Sequence, residues 1–297
     1  TSADLRQRRP SPRLLGTATD LTTGAPFEFT PEQFALICSD LDSVPLSFAV
    51  AASSSVPVLL SPMTVRNYAG SCPSSAGLQD EVRTERNLSA RLLNLIAESY
   101  RNAQDRPYIH LVDGGLVDNL GVRSLLDRMI ADGPPNQSFR GLPPGSVHKI
   151  VLVSVNSERD TADSIDSSDR VPGTAQVLDA LVFGAGSRLT KETTEMVKDT
   201  ARRLADELMA ERGKPGSPFA PDAELYVINV SLRDVSDTPL RKALLKVPTA
   251  LTILPMQVHQ LEAAGRKALH ESEEFQRLRL SLDAASHTAA LDAVAER

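Results

Sequence analysis

Residues 108–121 read Tyr108-Ile109-His110-Leu111-Val112-Asp113-Gly114-Gly115-Leu116-Val117-Asp118-Asn119-Leu120-Gly121. A short run rich in Ile, Leu and Val, preceded by Pro107, ends abruptly in an acid and two glycines. Such a run predicts a buried strand. Asp113 then stands at the strand's carboxyl end, where open α/β sheets place ligands and chemistry. Gly114 and Gly115 permit backbone conformations and close approaches that a side chain forbids. The plainer reading is a strand followed by an ordinary Asp-Gly turn.

The same reading extends outward. Leu14 to Leu21 predicts a strand ending in a Thr-Thr-Gly turn, and Phe27 and Phe29 alternate with polar neighbours as in a half-buried strand. Thr30-Pro31-Glu32-Gln33 opens a helix, with Thr30 as N-cap, Pro31 at the first helical position and Gln33 closing a capping box. Pro45 to Ser53 is a helix of small residues, and Met63 to Tyr68 a further strand. From Glu85 to Asn102, Leu88, Leu92, Leu95, Ile96 and Ser99 recur with helical period. Leu120 to Ile130 predicts a helix with Leu125, Leu126 and Met129 on one face. His148 to Val155 and Leu225 to Val230 read as buried strands. Thr174 to Arg212 is a long helix broken near Gly184 to Ser187. Lys214 to Pro221 is a turn-rich link, and helices over Leu240 to Lys246 and Met256 to Leu269 follow. Residues 1–10, Gly70 to Gly77, Asp132 to Gly145, Ser157 to Ser168 and the chain beyond Ser281 read as ends, loops or fraying helix.

Strands alternating with helices predict an α/β fold with a largely parallel sheet flanked by helices. There are no internal repeats. Residues 1–156 and 157–297 are expected to be two parts of one globule.

Four segments, in chain order, resemble patatin-like phospholipases: Pro12 to Phe29, Ser47 to Pro62, Asp113-Gly114-Gly115 with its surroundings, and Lys246-Val247-Pro248-Thr249-Ala250-Leu251 with the helix beyond. The resemblance covers most of the chain. It implies a three-layer fold and a Ser-Asp dyad in which Asp113 takes the proton of a serine hydroxyl directly. The implied substrates are lipid or fatty-acyl esters, with peripheral membrane contact and no cofactor. The family's Gly-rich oxyanion loop and its Gly-x-Ser-x-Gly elbow occur nowhere in these residues. The nearest imitation, Gly184-Ala185-Gly186-Ser187-Arg188, lacks the second elbow glycine and follows the Asp motif instead of preceding it. The expectation is therefore a C-terminal portion, incomplete at its N-terminus, with the nucleophile upstream of Thr1. The alternative is a non-catalytic patatin-like domain that binds lipid or a partner.

Other chemistries find less support. The net charge is −6, with both signs mixed along the chain. That pattern is unlike the basic stripe of a nucleic-acid binder or the polybasic segment that binds anionic membranes. The five histidines, His110, His148, His259, His270 and His287, have no metal-ligand partners at useful spacing. Strand alternation sends His110 and Asp113 to opposite faces. Ser53, Ser54 and Ser55 sit at the end of a small-residue helix, where packing is the expected role. Asp20, at a strand end, is a turn former or a second site acid, and Asp118 and Asn119 are expected helix caps. The two cysteines, Cys38 and Cys72, read as unpaired small hydrophobes, with one bridge open to an exported protein.

Overall fold

The computed structural model describes residues 14–57, 59–72, 87–133, 138–139, 141–158, 165–166, 169–180, 184–248, 250 and 252–295. Residues 1–10, the loop from Pro73 to Gly77, the middle of the Asp132 to Gly145 connection and most of the Ser157 to Ser168 segment lie outside them. The chain divides into two compact units. One comprises residues up to 138 together with 172–200, and the other 139–171 with 201–297.

The first unit is built on a four-stranded sheet in the order β2-β1-β4-β3. Its strands are β1 (Thr17–Asp20), β2 (Pro26–Glu28), β3 (Met63–Arg66) and β4 (Tyr108–Val112). Every pairing in it is antiparallel: Thr17 faces Glu28, Thr19 faces Val112, and Met63 faces Leu111. The architecture is mixed α/β as expected, but the expected largely parallel sheet is not what forms here. The five residues between β1 and β2 are too few for the crossover that parallel neighbours require, so a hairpin results. Strand β4 is also less buried than its composition suggests. Ile109, Leu111 and Val112 are buried, whereas Tyr108 is 52% exposed and His110 is exposed. One solvated face is ordinary for an antiparallel sheet.

The inner face gathers Phe27, Phe29, Phe34, Ile37, Tyr100, Ile109 and Leu111. Phe27 meets Phe29, Phe34 and Tyr100 edge-on at centroid distances of 5.7, 5.8 and 5.9 Å, the geometry that ring quadrupoles favour. Helix α1 (Pro31–Leu36) starts at the predicted N-cap, with Pro31 in its first turn and Thr30 Oγ1 accepting from the Gln33 N–H at 3.2 Å, the Thr30 half of the expected capping box. In α2 (Leu46–Ser53) the buried residues are Ala49 and Ala52, whose small side chains let the helix approach the sheet closely.

Helix α3 (Leu88–Arg101) inverts the expectation from its periodicity. Ala90, Ala97 and Tyr100 are buried, while Leu88, Leu92 and Leu95 are 62%, 42% and 62% exposed. Its small-residue side faces the protein and its leucine stripe does not. After β4 come the single turn α4 (Gly115–Asp118) and helix α5 (Arg123–Asp132). Of the expected apolar face of α5, Leu126 is buried and Leu125 is 45% exposed.

Cys38 and Cys72 form a disulfide with a Cα–Cα distance of 5.7 Å, which corrects their reading as unpaired hydrophobes. The chain leaves Cys38 through α2, returns along β3, and bonds Tyr68 N–H to Ile37 O at 3.0 Å. Only that return brings the two sulfurs together. Closing a loop of this length is typically worth about 3–4 kcal/mol. Cys72→Ser is therefore expected to lower unfolding stability by about that amount in urea melts. Two free thiols titrating in the unreduced, denatured protein would refute the bridge.

The second unit contains β5 (Val147–Asn156) and β6 (Phe219–Ser231), paired in parallel from Lys149/Glu224 to Asn156/Ser231. Strand β6 starts inside the expected turn-rich link. Tyr226, Ile228 and Val230 pack with Leu278, Leu269 and Phe275 of two helices, α9 (Pro255–Glu271) and α10 (Glu273–Ala295). Strand β5 is not buried throughout: Val151, Val153 and Val155 are 42%, 49% and 65% exposed. Being two residues apart, these valines share one face of the strand. Helix α6 (Thr174–Asp179) precedes the long α7 (Ala185–Glu211), in which Ala185 to Ser187 are helical although the sequence predicts a break there; residues 181–183 lie outside the description. Residues 185–200 of α7 belong to the first unit and 201–211 to the second. Helix α8 (Thr238–Leu244) begins at an Asp237 cap whose carboxylate accepts from the Leu240 N–H. Among the described residues no helix is long and apolar enough to cross a membrane.

Candidate functional site

Strand β4 stops at Val112, and the next residue is held by its backbone from three directions. Asp113 N–H donates to Ser55 O at 2.9 Å, and the Thr19 hydroxyl donates to Asp113 O at 2.8 Å. The following amide, Gly114 N–H, donates to Ser53 O at 3.2 Å. The end of α2, strand β1 and strand β4 thus meet at one residue. Such anchoring fixes where the Asp113 side chain emerges, as a reacting group requires.

The two glycines serve that geometry. A β-carbon on Gly114 would lie 2.6 Å from Thr17 O, closer than atoms can pack. Only glycine lets the backbone cross β1 at this point. A β-carbon on Gly115 would lie 2.9 Å from Asp113 Oδ1 and 3.1 Å from Asn119 Oδ1. In its absence the Gly115 N–H donates to Asp113 Oδ1 at 2.7 Å. Burial raises the proton affinity of Asp113 above the ordinary carboxylate value, and the Gly115 N–H offsets only part of that rise. The result is a half-buried carboxylate more basic than a surface aspartate.

The other sequence candidates separate from Asp113. His110 is exposed, and its Nδ1 lies 3.0 Å from the Thr64 hydroxyl. His148 pairs with Asp222 and His259 with Glu262, all largely exposed. The His287 side chain lies outside the description. Ser55 is 3% exposed and donates its hydroxyl to Ala51 O at 2.6 Å, so it is a packing residue. The segment Gly184 to Arg188 runs into the first turn of α7 and is the exception: a β-carbon on Gly186 would lie 3.7 Å from Gly115 O. Among the described residues no cluster of three or more metal-ligating side chains forms. Asp118 does cap a helix, with Oδ2 accepting from the Arg123 N–H at 2.7 Å at the start of α5.

Asp20 has a different role. It is 0% exposed and accepts from Arg106 Nη2 at 2.5 Å, from the Tyr100 hydroxyl at 3.0 Å, and from the Thr22 N–H at 3.0 Å. Burial alone would raise its pKa; the Arg106 hydrogen bond, the Thr22 N–H and the Arg106 charge outweigh that and lower it. The Tyr100 hydroxyl is pushed well above its usual value by burial and by the neighbouring Asp20 charge. Asp20 therefore forms a turn and a buried ion pair. Tyr100 and Arg106 carry no local signal of this partnership, because their acid lies 80 and 86 residues away.

No family model, no curated protein and no solved structure matches this chain.

Proposed function

We propose that Asp113 is the general base of a serine acylhydrolase acting on lipid esters, whose nucleophilic serine and oxyanion donors come from outside these 297 residues. The observation that carries this reading is the Asp113 carboxylate itself. It stands at a strand terminus, clamped by its backbone, with burial raising its basicity. A direct Ser-Asp dyad needs an acid of this kind, because an aspartate near the ordinary pKa of ~3.9 is a poor base at neutral pH. Asp113 would take the hydroxyl proton as the serine oxygen attacks the ester carbonyl. Protonated Asp113 would return that proton to the alkoxide leaving group as the acyl-enzyme forms; it would then take a proton from the attacking water and pass it to the serine oxygen as the fatty acid leaves. His110 has no part in this scheme.

The 297-residue chain alone is expected to show no turnover of p-nitrophenyl or phospholipid esters, because it contains no Gly-x-Ser-x-Gly elbow. Turnover by the purified chain that Asp113→Ala abolishes would require a nucleophile within it. The reading as a whole is tested by fluorophosphonate labelling of the product of the upstream coding sequence joined to this chain. One labelled serine, in a Gly-x-Ser-x-Gly context, is the expected result. No labelled serine and no hydrolysis would leave Asp113 without a reaction.

A further inference from the structure

The first unit has a concavity that Asp113 does not line. It is a cleft of about 830 Å³, within the range of small-molecule sites. Leu36, Leu92, Leu95, Ile96, Val117 and Leu189 form its apolar wall. This wall accounts for the inverted α3, whose Leu92 and Leu95 face the cleft instead of the core.

The cleft is also polar at specific points. Gln33, Asp118 and Ser124 line it and are 6%, 5% and 2% exposed. Gln33 Nε2, Asp118 Oδ1 and Ser124 Oγ have no hydrogen-bond partner among the described residues. Leaving such atoms unsatisfied costs free energy that a bound ligand would recover. Together they offer a donor, an acceptor and a hydroxyl able to act as either. Charge restricts the ligand further. Four acids line the cleft (Glu28, Glu32, Asp118 and Asp127) against two arginines (Arg123 and Arg128), a formal balance of −2. Both arginines are already engaged, Arg123 with Asp127 and Arg128 with Glu28. An anionic head group would therefore meet repulsion and find no free guanidinium among these residues.

We infer that this cleft binds a neutral single-chain amphiphile, its alkyl chain along the α3 leucines and an uncharged, hydroxyl-bearing head on Gln33, Asp118 and Ser124. Asp113 does not line this cleft, and binding is measured apart from ester hydrolysis, so failure of one reading is distinguishable from failure of the other.

The test is calorimetric titration of the 297-residue chain with monolaurin below its micelle concentration, with laurate for comparison. Saturable binding of one monolaurin per chain is expected, with laurate weaker by about tenfold or more, since each 1.4 kcal/mol of charge mismatch is tenfold. Leu95→Glu, at a 62% exposed position, should leave the melt unchanged and weaken monolaurin about tenfold or more. Ser124→Ala should weaken it several-fold, and Asp113→Asn should leave it unchanged. The inference is overturned by non-saturable binding, by laurate binding as tightly as monolaurin, or by indifference to Leu95→Glu. Sedimentation showing a dimer that Leu95→Glu dissociates, with no monolaurin bound, would assign the cleft to a second copy and overturn it equally.

Discussion

Asp113→Asn, in the protein that carries the nucleophile, lowers kcat/KM for ester hydrolysis by at least about 10²–10⁴-fold, the usual worth of general-base catalysis. The amide matches the carboxylate in shape, so the Gly115 N–H still finds its acceptor at Oδ1. Folding should hold. Because burial raises the Asp113 pKa, the charged carboxylate costs stability at neutral pH, and the neutral amide removes that cost. The melting temperature should therefore stay level or rise slightly. Activity should also fall as pH drops through a pKa above the ordinary ~3.9, since only the ionised form accepts the proton. His110→Ala should be mild, because His110 is exposed and bonded to Thr64. If His110→Ala instead removes activity as completely as Asp113→Asn, with folding intact, a Ser-His-Asp arrangement operates and the dyad is wrong.

Arg106→Met destabilises the first unit by about 3–5 kcal/mol, the typical cost of leaving a buried charge without its partner. Asp20 is fully buried, and Arg106 supplies its only cation among the interactions described. The pH dependence separates this cause from lost packing. In the native protein the Asp20 pKa is lowered. Its contribution is thus present above the unfolded value of ~3.9 and lost as pH falls through the lower folded value. Without Arg106, burial becomes the dominant influence and the folded pKa rises above the unfolded one. Native stability should then change little between pH 7 and 5 on account of this group, whereas the variant should recover stability as Asp20 takes up a proton. Urea melts across that range check the sign. A variant whose deficit is the same at every pH would have lost packing and not a counter-charge.

Much of the local structure was legible because local rules govern it. The Thr30-Pro31 helix start, the strand ending at Val112 and the small-residue α2 each depend on neighbours within a few residues. The exposure of His110 between buried Ile109 and Leu111 follows from the two-residue alternation of a strand. The basicity of Asp113 could only be anticipated, since burial depends on what the rest of the chain brings over it.

Strand direction, sulfur pairing and the covering of apolar faces belong to a different level. Composition marks Tyr108 to Val112 as a strand but cannot say that both its neighbours, β1 and β3, run against it. The leucines of α3 show an apolar stripe by their period, yet Ala90 and Ala97 take the inner side. Periodicity identifies a face without naming what lies against it. The Cys38–Cys72 bridge and the Asp20–Arg106 pair join residues 34 and 86 positions apart, and no local pattern specifies such partners. The sequence by itself determined where strands and helices begin and where a reactive acid could emerge. The tertiary structure alone decided which distant groups meet, because those meetings depend on the path of the whole chain.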